Sequence, residues 1–500
     1  MATAAKVYDF PMARVEDRLV SFLKTRRGES TVADMISGTG LPKYQVEQTA
    51  KVVLDEYAGR LRVTESGELL YYFPSGMRST VRGFGPGLRR AWKSFARGAA
   101  RVFSFLFKIW IVAMLVGYFA AFVSIGVLAI VASVAASAAG RGGRDDRRGD
   151  GGGLGGMYLA LSLLDLLLRM WFWTSILGLN NQRRRPKEGR AFYKSVFGFV
   201  FGDGDPNEGW EEKERKHIIS SIQGGKGVIT LEELMAMTGR EAEDANALMN
   251  RLLLEFEGEP GVTDNGTLIY TFPELMRTSR GAQASLGQAR LQNGPTRQPV
   301  PFSANKPRTN GWIIFFNSFN LLFGTYFLVT SLTQGQAALA AKTGLYAFAG
   351  HMLQSAGIND PVGLLGIGLG AIPVLFSIVF FLVPLFRRMK LARQNEAIRT
   401  EALRKQVLGE VLASPALVDV SDIRSPGSGL EPGKFENAAR RILERLAAQL
   451  KAEPVVREGT STFAYKFAEL ERELADLEKY RGNVDVSRYD VGKTVFDSGT

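Results

Sequence analysis

Long unbroken apolar runs alternate along this chain with charged stretches that carry shorter hydrophobic periodicities. Residues 103–138, 157–179, 311–333 and 362–386 each supply the roughly 20 apolar residues that a helix needs to cross a bilayer core. They predict four transmembrane helices paired as two hairpins. The first run is longer than one span requires. No turn signal interrupts it, so it is expected to tilt or to continue as helix past the bilayer rather than cross twice.

The polar stretches repeat. Residues 15–26, 31–38 and 43–57 have helical spacing, and two alternating strands follow around a Ser66-Gly67 turn, ending at Phe73 and Pro74. TVADMISGTG (31–40) aligns with TLEELMAMTG (230–239), and VTESGELLYYFPSGMR (63–78) aligns with VTDNGTLIYTFPELMR (262–277). Pro74 and Pro273 stand 199 positions apart, and no gap separates the two matches. The same offset carries the first two apolar runs close to the last two, so the predicted repeat is a soluble domain plus a hairpin. A more divergent third copy runs from a helix at 391–413 through VDVSDI (418–423) and a helix at 433–451 to EPVVREGTSTFAYKFAEL (453–470). The ends of the second hairpin strands are therefore Phe73, Pro74, Phe272, Pro273 and Phe467. Three helices followed by a hairpin resemble a winged helix.

The expected fold class is a mainly α membrane protein: four transmembrane helices as two hairpins, with three small α+β winged-helix-like cytoplasmic domains. Its expected parts are domain 1 (1–80), a basic juxtamembrane segment (81–102), hairpin 1 (103–180) with a Gly/Arg/Asp loop at 139–156, and a basic linker with the GDGDPN loop (181–211). Domain 2 (212–280), a linker (281–310), hairpin 2 (311–388), a helix with domain 3 (389–481) and a flexible tail (482–500) complete it. The helix through 469–481 has heptad-like spacing but is short for a coiled coil.

Charge orients the spans. Arg82, Arg89, Arg90, Lys93, Arg97 and Arg101 precede the first, Arg183 to Lys187 follow the second, and Arg387, Arg388, Lys390 and Arg393 follow the fourth. By the positive-inside rule these flanks are cytoplasmic, which places both termini inside. The arginines of the 139–156 loop run against that rule. No short apolar signal region stands near Met1, so the expected location is a bacterial inner membrane, with the basic flanks meeting anionic lipid. The net charge of +12 belongs largely to these flanks. Residues 14–80 carry an excess of one base and residues 213–279 an excess of four acids, which lacks the electrostatic footprint of a DNA reader. Nucleic acid is disfavoured, and protein–protein contact is the expected use of these domains.

The candidate chemistry is thin. There is no Cys and there are two His, His217 and His351, which excludes thiolate chemistry and multi-His metal cages. No phosphate-binding glycine motif or catalytic constellation occurs, so no cofactor and no enzymatic activity are expected. Asp165 and Arg169 lie near the middle of the second run at i, i+4, which fits an intrahelical ion pair that fixes helix rotation better than an ion path. Asn317 and Asn320 offer interhelical hydrogen bonds, and Gly366 and Gly370 offer close packing. Asp203, Asp205, Asn207 and Glu214 fall at calcium-loop positions, but Glu208 occupies the glycine position. A helix entering at Pro206, capped by Asp205, is the simpler reading. The RGD in the 139–156 loop reads as chance in a flexible linker.

The stretch FYKSVFGFVFGDGDPNEGWEEK (192–213), with GGKGVITLEEL and the YxFP strand end, resembles an uncharacterised family of multi-pass membrane proteins from cyanobacteria and plastids. FGDGDPN is its most specific part, and the resemblance covers about a third of the chain. It implies no activity. Some plastid members carry an iron–sulfur biogenesis label, for which this chain offers no Cys.

The reading that follows is a membrane-anchored scaffold, a homo-oligomer that binds an unidentified soluble protein. The alternatives are an oligomeric channel or transporter gated by its cytoplasmic domains, and a membrane-tethered transcription regulator reading DNA with Lys434, Arg440, Arg441 and Arg445.

Overall fold

The computed structural model describes residues 10–26, 29–73, 84–139, 190–278, 294–341, 343–423, 432–456 and 463–498. Span two, with Asp165 and Arg169, the 139–156 loop and Pro74 lie outside the described residues. The chain is mostly helical with a few small sheets. It divides into two compact units, one of residues 1–86, 206–299 and 395–500, the other of 87–205 and 300–394.

The first unit contains three sets of helices, each followed by a pair of strands. Helices α1 (Met12–Thr25), α2 (Val32–Thr39) and α3 (Lys43–Glu56) precede strands β1 (Arg60–Thr64) and β2 (Leu69–Tyr72). The second set has α6 (Trp210–Gly224), β3 (Val228–Ile229), α7 (Leu231–Thr238), α8 (Ala242–Glu255), β4 (Glu259–Val262), β5 (Leu268–Thr271) and the short α9 (Pro273–Met276). The third begins on the polar end of a long helix, Ile372–Ala413. It continues through a 3₁₀ turn (Val420–Asp422), a helix (Pro432–Gln449), two paired strands (Glu453–Val456 and Phe463–Lys466) and a last helix (Ala468–Asn483).

Local chemistry explains the recurrence. The second helix or turn of each set opens with a capping box: Thr31 with Asp34, Thr230 with Glu233, and Asp419 with Asp422. Each long helix ends at a residue with φ near +50°: Ala58, Glu257 and Lys451. Each second hairpin strand carries a tyrosine bridged on its far side to the segment before the capping box, in the pairs Ser30–Tyr71, Ile229–Tyr270 and Val418–Tyr465. One hydrophobic cluster joins Leu19, Met35, Val46 and Val53 of the first set to Ile219, Leu234, Met249 and Phe272 of the second. Another joins Met235 and Ala245 to Val407, Val411, Leu443 and Phe467.

The segment expected as a flexible tail is instead ordered. A 3₁₀ turn (Val486–Tyr489) leads to strand β8 (Thr494–Asp497), which pairs antiparallel with β1. A lone four-residue strand has no periodicity signal, and its backbone gains partners only once an edge is available. The hairpin of the third set supplies β6 and β7, giving three sheets ordered β2-β1-β8, β3-β5-β4 and β6-β7.

The second unit holds the apolar helices: α4 (Phe84–Ala139), α5 (Phe192–Phe201), α10 (Pro307–Thr333), α11 (Gly335–Ala340), α12 (Leu345–Ser355) and α13 (Pro361–Leu364). A π-helical turn at Leu365–Ala371 joins α13 to α14 (Ile372–Ala413), and α15 and α16 are the two helices already given at 432–449 and 468–483. Among the described residues, three helices are long and apolar enough to cross a membrane, Val102–Val134, Pro307–Thr333 and Pro361–Ala413. One expectation differs here. The 181–211 linker contains α5, whose apolar face joins Val196 and Phe199 to Ile111, Leu115, Ile313 and Phe380. The connection between the last two spans folds into α11 and α12, because Leu339 and Tyr346 pack on Phe122 and Phe327.

Candidate functional site

Asn317 and Asn320 are fully buried on α10 and reach opposite neighbours: Asn317 Nδ2 donates to Ser377 O at 3.1 Å, and Asn320 Nδ2 to Leu115 O at 2.7 Å. Their Oδ1 atoms find no partner among the described residues. Gly370 lies so close to α10 that a Cβ would fall 2.8 Å from Leu328 Cα, and Gly366 faces Ser331, whose hydroxyl donates to Val362 O at 2.9 Å. Small residues here allow backbone approach, and the π turn redirects the helix at that point.

Asp203 and Asn207 of the GDGDPN loop turn to separate protein partners. In the second unit, Asp203 accepts from Arg190 and from the Ala304 amide (2.6 Å), bonds that hold its carboxyl below the usual range. Arg387 donates to Gly198 O (3.3 Å), Phe199 O (3.2 Å) and Phe302 O, closing the last carbonyls of α5, and lies 4.4 Å from the Phe302 ring centroid. In the first unit, Asn207 forms a two-way pair with the Gln298 backbone, both bonds 2.8 Å, and Glu214 pairs with Arg240 at 2.7 Å. No cluster of three or more His, Asp or Glu suited to a metal occurs among the described residues. Helix α6 starts at Trp210, not at Pro206, because Gly209 at φ 73° separates it from the turn before it.

Phe73, Phe272 and Phe467 serve the core. Phe272 is 1% exposed and Phe467 fully buried. Phe73 and Phe272 lie over Gly59 and Gly258, where a Cβ would stand 2.6 Å and 2.7 Å from the rings. Pro273 takes the first position of α9, where its missing N–H costs nothing.

Two contacts of matching geometry join the three sets of the first unit. Gly40 ends α2 at φ 72°, and a Cβ there would fall 2.0 Å from Glu212 O at the start of α6. Gly239 ends α7 at φ 71°, with the corresponding position 2.3 Å from Glu401 O on α14. Ion pairs flank both: Arg18 with Glu212 (2.9 Å) at the first, Arg404 with Glu241 at the second. Lys43 adds Glu274 (2.5 Å) and Glu257 (3.1 Å) to the first junction, and Arg481 adds Glu233 (2.7 Å) and Val228 O (2.7 Å) to the second set.

Beside the second junction lies a charged cluster that the sequence did not point to. Lys405 Nζ donates to Pro295 O at 2.7 Å, Arg297 stands 3.7 Å from Glu401 and 5.5 Å from the Trp210 ring centroid, and His217 is half-buried beside them. Burial first, and the Lys405 charge second, push the His217 imidazole below its ordinary pKa. Residues 294–299, expected as linker, are thus fixed by side chains of α6 and α14. His351 bonds its own helix at Ala347 O (2.6 Å).

The heptad-like helix α16 is used within the chain. Leu477 packs on Val228 and Ile269, and Asp476 accepts from Thr263 and from Asn265 (2.6 Å). On the long helices, α8 turns Asp244, Asn250, Arg251 and Leu254 outward, Leu254 at 85% exposure. Of the basic residues on α15, Arg440 pairs with Glu436 (3.1 Å) and Arg445 with Glu241 (3.1 Å).

No family model and no solved structure matches the chain. It is similar to a protein of Arabidopsis thaliana described as uncharacterised and chloroplastic, with 26% identity over 399 residues, 77% of this chain and 70% of the relative. That similarity extends far beyond the FGDGDPN region and fits an uncharacterised family with plastid members.

Proposed function

We propose that the protein is a membrane-anchored scaffold that presents three winged-helix-like domains, derived by duplication, at the cytoplasmic face of a bacterial inner membrane. The four-span, two-hairpin topology with both termini inside is part of this reading, supported by the three long apolar helices and the basic flanks. The carrying observation is the pair of glycine-closed junctions, Gly40 on Glu212 and Gly239 on Glu401. A contact used twice in the same sense sets the domains in a head-to-tail row, a geometry that presents surface rather than encloses a pocket.

The long-helix face of domain 2 is the favoured contact surface, since it offers Leu254 among polar and acidic neighbours and no basic stripe. Homo-oligomerisation and anionic-lipid contact belong to the same reading. The asparagine and glycine contacts of the second unit are spent on helix association, which argues against a gated path. The test is affinity purification from gently solubilised, nuclease-treated membranes, comparing the native chain with Leu254→Glu. A stoichiometric soluble partner lost in the variant, with thermal stability unchanged, supports the scaffold. Recovery of the chain alone from native membranes contradicts it, and nuclease-sensitive recovery of DNA favours the regulator.

A further inference from the structure

The three hairpins differ at one position on their outer strands. Leu61, Pro260 and Pro454 hold the same register, opposite Tyr71, Tyr270 and Tyr465. At Leu61 the backbone faces outward and binds the tail: Ser498 N donates to Leu61 O at 2.9 Å, and Leu61 N donates to Ser498 Oγ at 3.0 Å. A proline there has no N–H to give, so β4 and β6 are blunted where β1 is open.

The tail shows what the β1 edge reads. Phe496 stands opposite Val63 and Asp497 opposite Arg62, with Arg62 Nε 2.7 Å from Asp497 Oδ2. Arg62 is held in place over the Tyr72 ring, 4.6 Å from its centroid. Glu65 N donates to Lys493 O at 3.0 Å, and Gly492, at φ 75°, turns the chain into the strand beside the Glu65 carboxylate. Yet the tail hides little apolar surface. Val491 is buried, but Val495 and Phe496 remain 69% and 58% exposed. Backbone bonds, a few polar side-chain bonds from Ser498, Ser66 and Glu65, and one ion pair hold it, the composition of a strand that another can replace.

We propose that the β1 edge is a strand-docking site for an extended protein segment bearing a bulky apolar residue, then a carboxylate, then Ser or Thr, and that residues 491–498 are its resident, displaceable occupant. This rests on the scaffold reading and names the chemistry of a partner it would receive. The edge is singled out by what the other two lack, and the Arg62–Asp497 pair supplies the charge complementarity.

The test uses the full chain in detergent with residues 491–500 deleted, and as probe a fluorescent peptide of residues 490–500 read by anisotropy. The truncated chain is expected to bind the peptide saturably and at least about tenfold more tightly than the intact chain, whose edge is occupied. Leu61→Pro should abolish binding, and because proline already occupies this register in β4 and β6, the sheet should survive it. Arg62→Glu is a second variant, expected to weaken binding about tenfold; because Arg62 also pairs with Glu29, it is compared at a temperature where both proteins are folded. No binding to the truncated chain, or binding indifferent to both variants, overturns the proposal. A tail-dependent dimer of the intact chain overturns the partner assignment in favour of strand exchange between copies. Each outcome is independent of Leu254, so failure here is distinguishable from failure of the scaffold.

Discussion

At the scale of single residues, burial decides which polar groups matter. His217 is half-buried beside Lys405, and burial first and that charge second depress its pKa below the unfolded value of 6.5. The fold therefore favours the neutral ring. The stability it contributes is complete above pH 6.5 and is lost as pH falls from 6.5 towards the lower folded pKa, where only the unfolded chain takes up the proton readily. Thermal unfolding midpoints recorded across that window should fall less steeply for His217→Gln than for the native chain; parallel curves would contradict the assignment. In the apolar unit, Gly370→Ala should lower stability by about 1–3 kcal/mol, because its Cβ meets Leu328 backbone. Gly368→Ala, whose nearest neighbour would stand 3.5 Å away, should be close to neutral when both are melted in the same detergent.

At the scale of elements, much was legible in the sequence. The helix at 43–57, the Ser66-Gly67 turn and the threonines that open the aligned stretches 31–40 and 230–239 correspond to α3, the β1–β2 hairpin and two capping boxes. These follow local rules that need no tertiary partner. Replacing Thr31 or Thr230 by Ala should each cost about 1 kcal/mol, read from denaturant midpoints. What stayed illegible depends on distant partners. The ten residues of α5 are too few to span a bilayer and gain meaning only against Leu115 and Phe380. Strand β8 becomes a strand only beside β1, and the Lys405–Pro295 bond joins residues far apart in sequence. Spacing alone does not fix direction, so the 203–214 pattern could not say where its side chains point: Asp203, Asn207 and Glu214 each turn to a different partner.

At the scale of the whole molecule, the polar segments are separated in sequence by apolar spans yet gather into one unit. Their order is held by two junctions of like geometry, in which glycine at positive φ lets a helix end touch the next helix backbone. Gly40→Ala and Gly239→Ala combine a disfavoured backbone with a clash and should each destabilise by more than about 2 kcal/mol. A row of domains anchored in a membrane would use its length to present several surfaces at fixed spacing, which is the advantage of a scaffold over a single binding module.

The absence of Cys makes the decisive measurement clean, since introduced thiols are then the only ones. Arg18→Cys with Glu212→Cys reports the first junction, and Glu241→Cys with Arg404→Cys reports the second. Treated in native membranes with a short bis-maleimide, both pairs should cross-link within one chain, and Gly40→Ala should reduce the first while Gly239→Ala reduces the second. Failure of either pair to react, or cross-links found only between chains, would contradict a head-to-tail row of three domains.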